Sequence, residues 1–202
     1  MKIAIVGASG QAGSRITAEL SARGHSVTAI ARDPGRIAPL PHVVPVAGDA
    51  ADAAALAALL KGHDAAVSAI HFTASDPEKL IAAVEEAGVP RYLVVGGAGS
   101  LEVAPGRVLV ETPEFPAAYK AEATAGLAFL RRLQAHPTLP WTFLSPSAMF
   151  IPGERTGRFR LGLDQLLVGE GGSRISFEDY AVALADEIER PQHIRRRFTV
   201  GY

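Results

Sequence analysis

Residues 2–20, KIAIVGASGQAGSRITAEL, join an apolar run to an amphipathic one through three closely spaced glycines, and few folds accept such a junction. Lys2–Val6 is short and apolar along nearly all its length, as expected of a strand covered on both faces. From about Gln11 to Arg23 the period turns helical, with Ala12, Ile16 and Leu20 four apart on one face. Gly24 stands where a left-handed residue ends a helix. Glycine at 7, 10 and 13 lets the chain take positive φ, approach a ligand with its backbone and pack helix on strand. The free amides of such a helix start attract a pyrophosphate. Gly7, Ser9, Gly10, Gln11, Ala12 and Gly13 are the residues that would hold it.

The same alternation continues. SVTAIA (26–31), VVPVA (43–47), DAAVSAI (64–70), RYLVVG (91–96) and WTFLS (141–145) read as further doubly covered strands. Helical stretches separate them at about 52–61, from Asp76-Pro77 to Gly88, and at about 118–134. A segment bearing glycine and proline runs from Gly97 to Pro116. Strands and helices alternating in this way predict an α/β fold, doubly wound around a mostly parallel sheet. Beyond 148 the pattern changes. Residues 158–163 read as a strand, Ser176 and Asp179 have capping-box spacing for a helix over 177–189, and RRFTVGY supplies a last strand. At 202 residues the chain is expected to be a single domain, with about 148–202 forming a small substrate-side extension.

A formal net charge of −1 gives no electrostatic reason to expect nucleic acid or an anionic membrane as partner. The absence of cysteine rules out disulfides, thiolate metal ligands and a cysteine nucleophile, and it fits a cytoplasmic protein. The first apolar run is too short for a signal peptide or a membrane span. A monomer or homodimer acting on a small molecule, with no metal site, is expected.

The glycine spacing is G-x-x-G-x-x-G, and with this order of elements it resembles the short-chain dehydrogenase/reductase superfamily. GASGQAG, AIARDPGRI, VAGDA, VSAIH, RYLVVGGAG, TFLSPSAMF and ISFEDYAVAL are similar to the atypical single-domain branch. That branch contains NADH–flavin reductases, biliverdin reductase B-like flavin reductases and NmrA-like proteins. The resemblance implies a Rossmann fold that binds NAD(P). The second strand ends Ile30-Ala31 without a carboxylate for a ribose 2′-hydroxyl, and Arg32 follows. Arg32 and Arg36 flank a short turn where two guanidinium groups can clamp a 2′-phosphate, so NADP is the expected cofactor, NADPH preferred over NADH. Asp33 either caps that turn or competes for the ribose. By resemblance, Asp49, with Ala50 beside it, contacts the adenine amino group; the other reading of Asp49 is an N-cap near Asp52. Ala69, Ile70 and His71 would line the cofactor ribose, and Ser145, Pro146 and Ser147 would approach the carboxamide through their backbone.

Members of the superfamily with ordinary catalysis carry Ser and Tyr-x-x-x-Lys. Here Gly97 stands in the serine position, Lys120 is 26 residues before Pro146 as that lysine would be, and Pro116 occupies the tyrosine position. Tyr119 is adjacent to Lys120, and neighbours on a helix point about 100° apart. Lys120, Tyr119, His71 and Ser100 remain the candidate catalytic groups, with Lys120 also a cofactor ligand by resemblance. Reducing a carbonyl needs a positioned acid, worth roughly 10²–10⁴-fold. Reducing FMN, another flavin or a quinone needs less, because the charge is delocalised. The expected activity is therefore NADPH-dependent reduction of a flavin, quinone or similar electron-poor acceptor. The alternative is an NmrA-like redox sensor that binds NADP without turnover. Segments 97–117 and 148–163, with Phe115, Met149 and Phe150, are the expected walls of the acceptor site.

Overall fold

The computed structural model describes residues 1–202. In chain order it contains β1 (Lys2–Val6), α1 (Gln11–Ala22), β2 (Ser26–Ala31), β3 (Val43–Ala47), α2 (Ala53–Leu60), β4 (Ala65–Ser68), α3 (Pro77–Ala87) and β5 (Tyr92–Val95). There follow β6 (Glu102–Ala104), β7 (Arg107–Val108), α4 (Lys120–Gln134), β8 (Trp141–Pro146), β9 (Met149–Ile151), β10 (Arg160–Gly162), β11 (Arg174–Ser176), α5 (Phe177–Glu189) and β12 (Arg196–Gly201). Eight strands form one sheet in the order β10-β12-β8-β5-β4-β1-β2-β3. All neighbours are parallel except β10, which runs antiparallel to β12. The order reverses between β1 and β4. In an open α/β sheet the crevice at the strands' carboxyl ends beside such a reversal is where ligands bind.

Successive strand residues feed two separate cores, which is why the strands read as unbroken apolar runs. Ile3 and Ile5 of β1 pack with Ile16 and Leu20 of α1 and Leu184 and Ile188 of α5. Ala4 and Val6 pack on the opposite side with Leu56 and Leu60 of α2, Leu80 and Val84 of α3 and Leu130 and Leu133 of α4. The exception is β3, expected to be covered on both faces. It is the sheet's edge, and Val44 is 61% exposed. Pro45 fits there because an edge strand can spare an N–H on its open side.

Local signals set the helix ends. The Asp76 carboxylate accepts from the Glu78 amide, Pro77 takes the first helical position, and Gly88 ends α3 at φ +66. Ser176 caps α5 through the Asp179 amide, but the expected reciprocal box does not form. Asp179 is fully buried, and its carboxylate instead accepts from the Thr156 hydroxyl, the Gly157 amide and the Tyr202 hydroxyl. Those bonds fasten 155–158 and the last residue over α5. The segment after 148 is thus built into the main sheet and core through β12 and α5, and Tyr180 donates to the Leu144 carbonyl at 2.7 Å. No helix is long and apolar enough to cross a membrane.

Candidate functional site

The glycine turn closes at the carboxyl end of β1. Gly7 takes φ +89, and the Gly7 and Ala8 amides both donate to the Ile30 carbonyl. A Cβ on Gly7 would lie 2.5 Å from the Ala69 carbonyl oxygen, and one on Gly13 would lie 2.2 Å from the Gly7 carbonyl oxygen. These two glycines are required by packing alone. Gly10 plays a different part: it is the N-cap of α1, it is exposed, and no side chain caps the helix. The amides of Gln11, Ala12 and Gly13 have no acceptor in the chain. They form an anion cradle at the positive end of the α1 dipole, with Ser9 at its lip.

On the β2 side, Arg32 and Arg36 are both exposed and neither pairs with a carboxylate. Asp33 caps the turn between them, accepting from the Gly35 amide at 3.1 Å. The N-cap of α2 is Asp52, which accepts from the Ala55 amide. Asp49, exposed beside half-buried Ala50, makes only a local turn with the Ala51 amide. On the β4 side the Ala69 amide donates to the Val6 carbonyl, which fixes Ala69 and Ile70 at the switch point beside the cradle. The residues read from the sequence for the adenosine and ribose thus follow the carboxyl ends of β1, β2, β3 and β4, at one edge of the sheet. An NAD(P) molecule fits there on one observation, the three unpartnered amides at a helix start.

Beyond β4, β5 and β8 lies a cavity of about 460 Å³. Phe72, Gly97–Gly99, Ala123 and Ala148–Met149 line it from the sheet side, and Leu109, Thr112, Glu114, Phe115, Pro116 and Tyr119 from the loop side. Glu122 completes the lining. Phe115 and Met149 line this cavity. Phe150 does not: its ring packs on Phe177 at 4.3 Å and Tyr180 at 4.6 Å, in the α5 core. Of the 148–163 segment only Ala148 and Met149 reach this cavity; residues 151–158 border a separate cleft with Arg174 and Tyr202.

The four candidate catalytic groups do not converge. Ser100 is 3% exposed and lies outside the cavity, donating to the Gly97 carbonyl while Arg197 donates to its own oxygens. Arg197 also grips Asp164, so Ser100 anchors the back of the wall. The Lys120 ammonium is bound to the Val110 carbonyl and lies 5.8 Å from the centre of the Phe115 ring. Tyr119 is 66% exposed at the cavity mouth, without a hydrogen-bonded lysine. His71 is open to solvent, with Nδ1 3.2 Å from Glu122. The Ser147 amide and hydroxyl both donate to the Val200 carbonyl, which leaves its own carbonyl as the unpaired backbone group. Ser145 is fully buried and its Oγ has no partner, while Pro146 closes the strand beside it.

Glu122 was missed by sequence reasoning. Its carboxylate accepts from the amides of Phe72 and Thr73 and the Thr73 hydroxyl, and so holds the loop after β4. That loop sets Phe72 on the cavity floor, stacked on Phe143 and edge-on to Phe129. The signal was Gly126, one turn later on α4, where a Cβ would lie 2.7 Å from the Phe72 ring. Burial raises the Glu122 carboxyl, but the Thr73 and Phe72 donors outweigh it and hold the group below the ordinary value of 4.5. Because the folded value is depressed, its stabilisation is complete above the unfolded value and is lost as pH falls through the folded one. Glu122→Gln is expected to lower Tm at neutral pH by a few degrees, about 1 kcal/mol, and to flatten the acid limb below about pH 4.5. Thermal melts across that range check it.

Similarity to known proteins agrees with this chemistry. Residues 7–191 match the family described as NAD(P)H-binding, and the chain belongs to that family. Within it, the sheet order and the glycine turn are those of a Rossmann-like NAD(P)-binding fold. The "uncharacterized protein YwnB" of Bacillus subtilis is 41% identical over 99% of this chain and 98% of its own length. A crystal structure of a "putative epimerase" from Bacteroides thetaiotaomicron is 40% identical with a TM-score of 0.94, covering 100% of this chain and 96% of that one. A "putative NADH-flavin reductase" from Streptococcus pneumoniae is 36% identical with a TM-score of 0.84, covering 100% and 99%.

Proposed function

We propose that this chain is an NADPH-dependent reductase of flavins, quinones or similar electron-poor acceptors, acting in the cytoplasm. The observation that carries the reading is the cavity's composition: a largely apolar chamber beside the cofactor crevice that contains no assembled acid. Tyr119 and Lys120 are adjacent, and the ammonium is committed to the Val110 carbonyl. An epimerase or carbonyl reductase of this superfamily would need a tyrosine and lysine acting together, which Pro116 and Tyr119 do not supply.

When bound, NADPH supplies a hydride, two electrons and one proton, leaving as NADP⁺, while a second proton reaches the reduced acceptor from water. The chain's own task is to position. The free amides of 11–13 hold the pyrophosphate, Arg32 and Arg36 the 2′-phosphate, and the apolar walls hold the acceptor ring and exclude water. Orientation of that kind is worth up to roughly 7–11 kcal/mol.

The test follows NADPH oxidation with riboflavin, quinones and aldehydes, in the wild type and in Tyr119→Phe. Turnover on flavins or quinones is expected, with the tyrosine variant losing far less than the roughly 10²–10⁴-fold that removal of a general acid costs. Turnover on aldehydes alone would sink the reading. Binding of NADPH without turnover on any acceptor favours the redox-sensor alternative, which the unassembled acid also suits.

A further inference from the structure

We infer that the cavity selects acceptors by charge: it takes an uncharged planar ring system, such as riboflavin or an unsubstituted quinone, and disfavours phosphorylated flavins. The inference rests on the cavity being the acceptor site of the proposed reductase. The only charged side chains in the lining are carboxylates, Glu114 and Glu122. Glu122 is kept ionised at neutral pH by its donors from Phe72 and Thr73, so its charge persists although its oxygens are occupied. Glu114 is exposed and has no cationic partner. No arginine or lysine lines the cavity; Lys120, with its ammonium 5.8 Å from the centre of the Phe115 ring, keeps its charge but stands outside the lining, on the Val110 carbonyl. Arg32 and Arg36 lie past β2, on the other side of the switch point from this cavity.

A flavin ring against Phe115 and Phe72 puts its ribityl chain at the mouth, which Glu114 and Tyr119 border. A terminal phosphate there meets like charge, an effect that salt screens, with no cation in the lining to receive it. Riboflavin presents hydroxyls to the same edge and pays no such cost.

Riboflavin and FMN share one ring system and differ in that phosphate, so the pair isolates the effect. Quenching of flavin fluorescence by the NADP⁺-loaded protein gives both affinities without requiring turnover. At low ionic strength riboflavin is expected to bind about tenfold more tightly, the gap narrowing as salt is added. Glu114→Gln should narrow the ratio and Glu114→Lys should invert it. FMN binding as tightly as riboflavin at low salt, neither flavin binding, or a ratio that E114K leaves unmoved would each overturn the inference. Turnover separates the two claims. Preferential riboflavin binding without NADPH oxidation defeats the reductase reading and leaves the charge selection standing. NADPH oxidation with FMN matching riboflavin in both affinity and rate does the reverse.

Discussion

Gly13→Ala is expected to lose nucleotide binding and to lower Tm by about 4–12 °C, which corresponds to about 2–3 kcal/mol in a chain of this size. Two effects oppose each other in this variant. Alanine is the better helix former by about 1 kcal/mol. Against that, its Cβ would sit 2.2 Å from the Gly7 carbonyl oxygen and 3.1 Å from the Ala8 Cα, both backbone atoms. No rotamer relieves a clash with backbone, so α1 must move away from the end of β1 and carry its free amides with it. The clash wins. Gly24→Ala is the matched control: it also strains the chain, at φ +80, but its Cβ would meet nothing within 4 Å. It should cost about 1–2 kcal/mol of left-handed strain and leave NADPH affinity as it was. Calorimetric titration with NADPH beside thermal melts separates the two variants. Wild-type affinity in Gly13→Ala would mean that the turn does not hold the pyrophosphate.

The cradle was legible because all its parts are contiguous in sequence. One strand, one turn and one helix start carry the glycine packing and the anion site together. The doubly wound sheet was legible for a related reason, since burial on both faces leaves unbroken apolar runs. That rule says nothing about position in the sheet, so β3 was read as a covered strand when Val44 faces solvent. The cavity was harder to see. Its walls come from the ends of β4, β5 and β8 and from 109–119, and only the strand order brings these segments together. Residue type marked Ser100 as an available group, and resemblance marked the Ser147 backbone. What occupies them is the last strand, through Arg197 and the Val200 carbonyl, nearly a hundred residues from Ser100 and about fifty from Ser147. Phe150 shows the same limit, its ring taken by Phe177 and Tyr180 across the α5 core. Long-range partners of this kind leave no local trace in the sequence.

Replacing Arg32 and Arg36 together with alanine is expected to reduce the NADPH-to-NADH ratio of kcat/KM by about tenfold to a hundredfold, as loss of charge-assisted hydrogen bonds to a phosphate would. The structure gives these side chains nothing else to do. Both are exposed and neither pairs with an acid, while Asp33 between them is committed to the Gly35 amide. Capping takes one oxygen of Asp33, Oδ1, for the turn it shapes, and the other oxygen has no partner in the chain. Asp33→Ala should therefore loosen the turn and weaken NADPH binding, without creating a preference for NADH. The loss in the double variant should fall on NADPH, with NADH turnover little changed, since NADH has no phosphate to lose. Exposed guanidinium groups are also screened, so the wild-type preference should shrink as ionic strength rises while that of the double variant stays flat. A ratio of kcat/KM that ignores both the substitutions and the salt would show that the 2′-phosphate is not read by this turn. The cofactor choice would then have to come from elsewhere in the crevice, with Asp49 as the remaining charged group on the adenosine side.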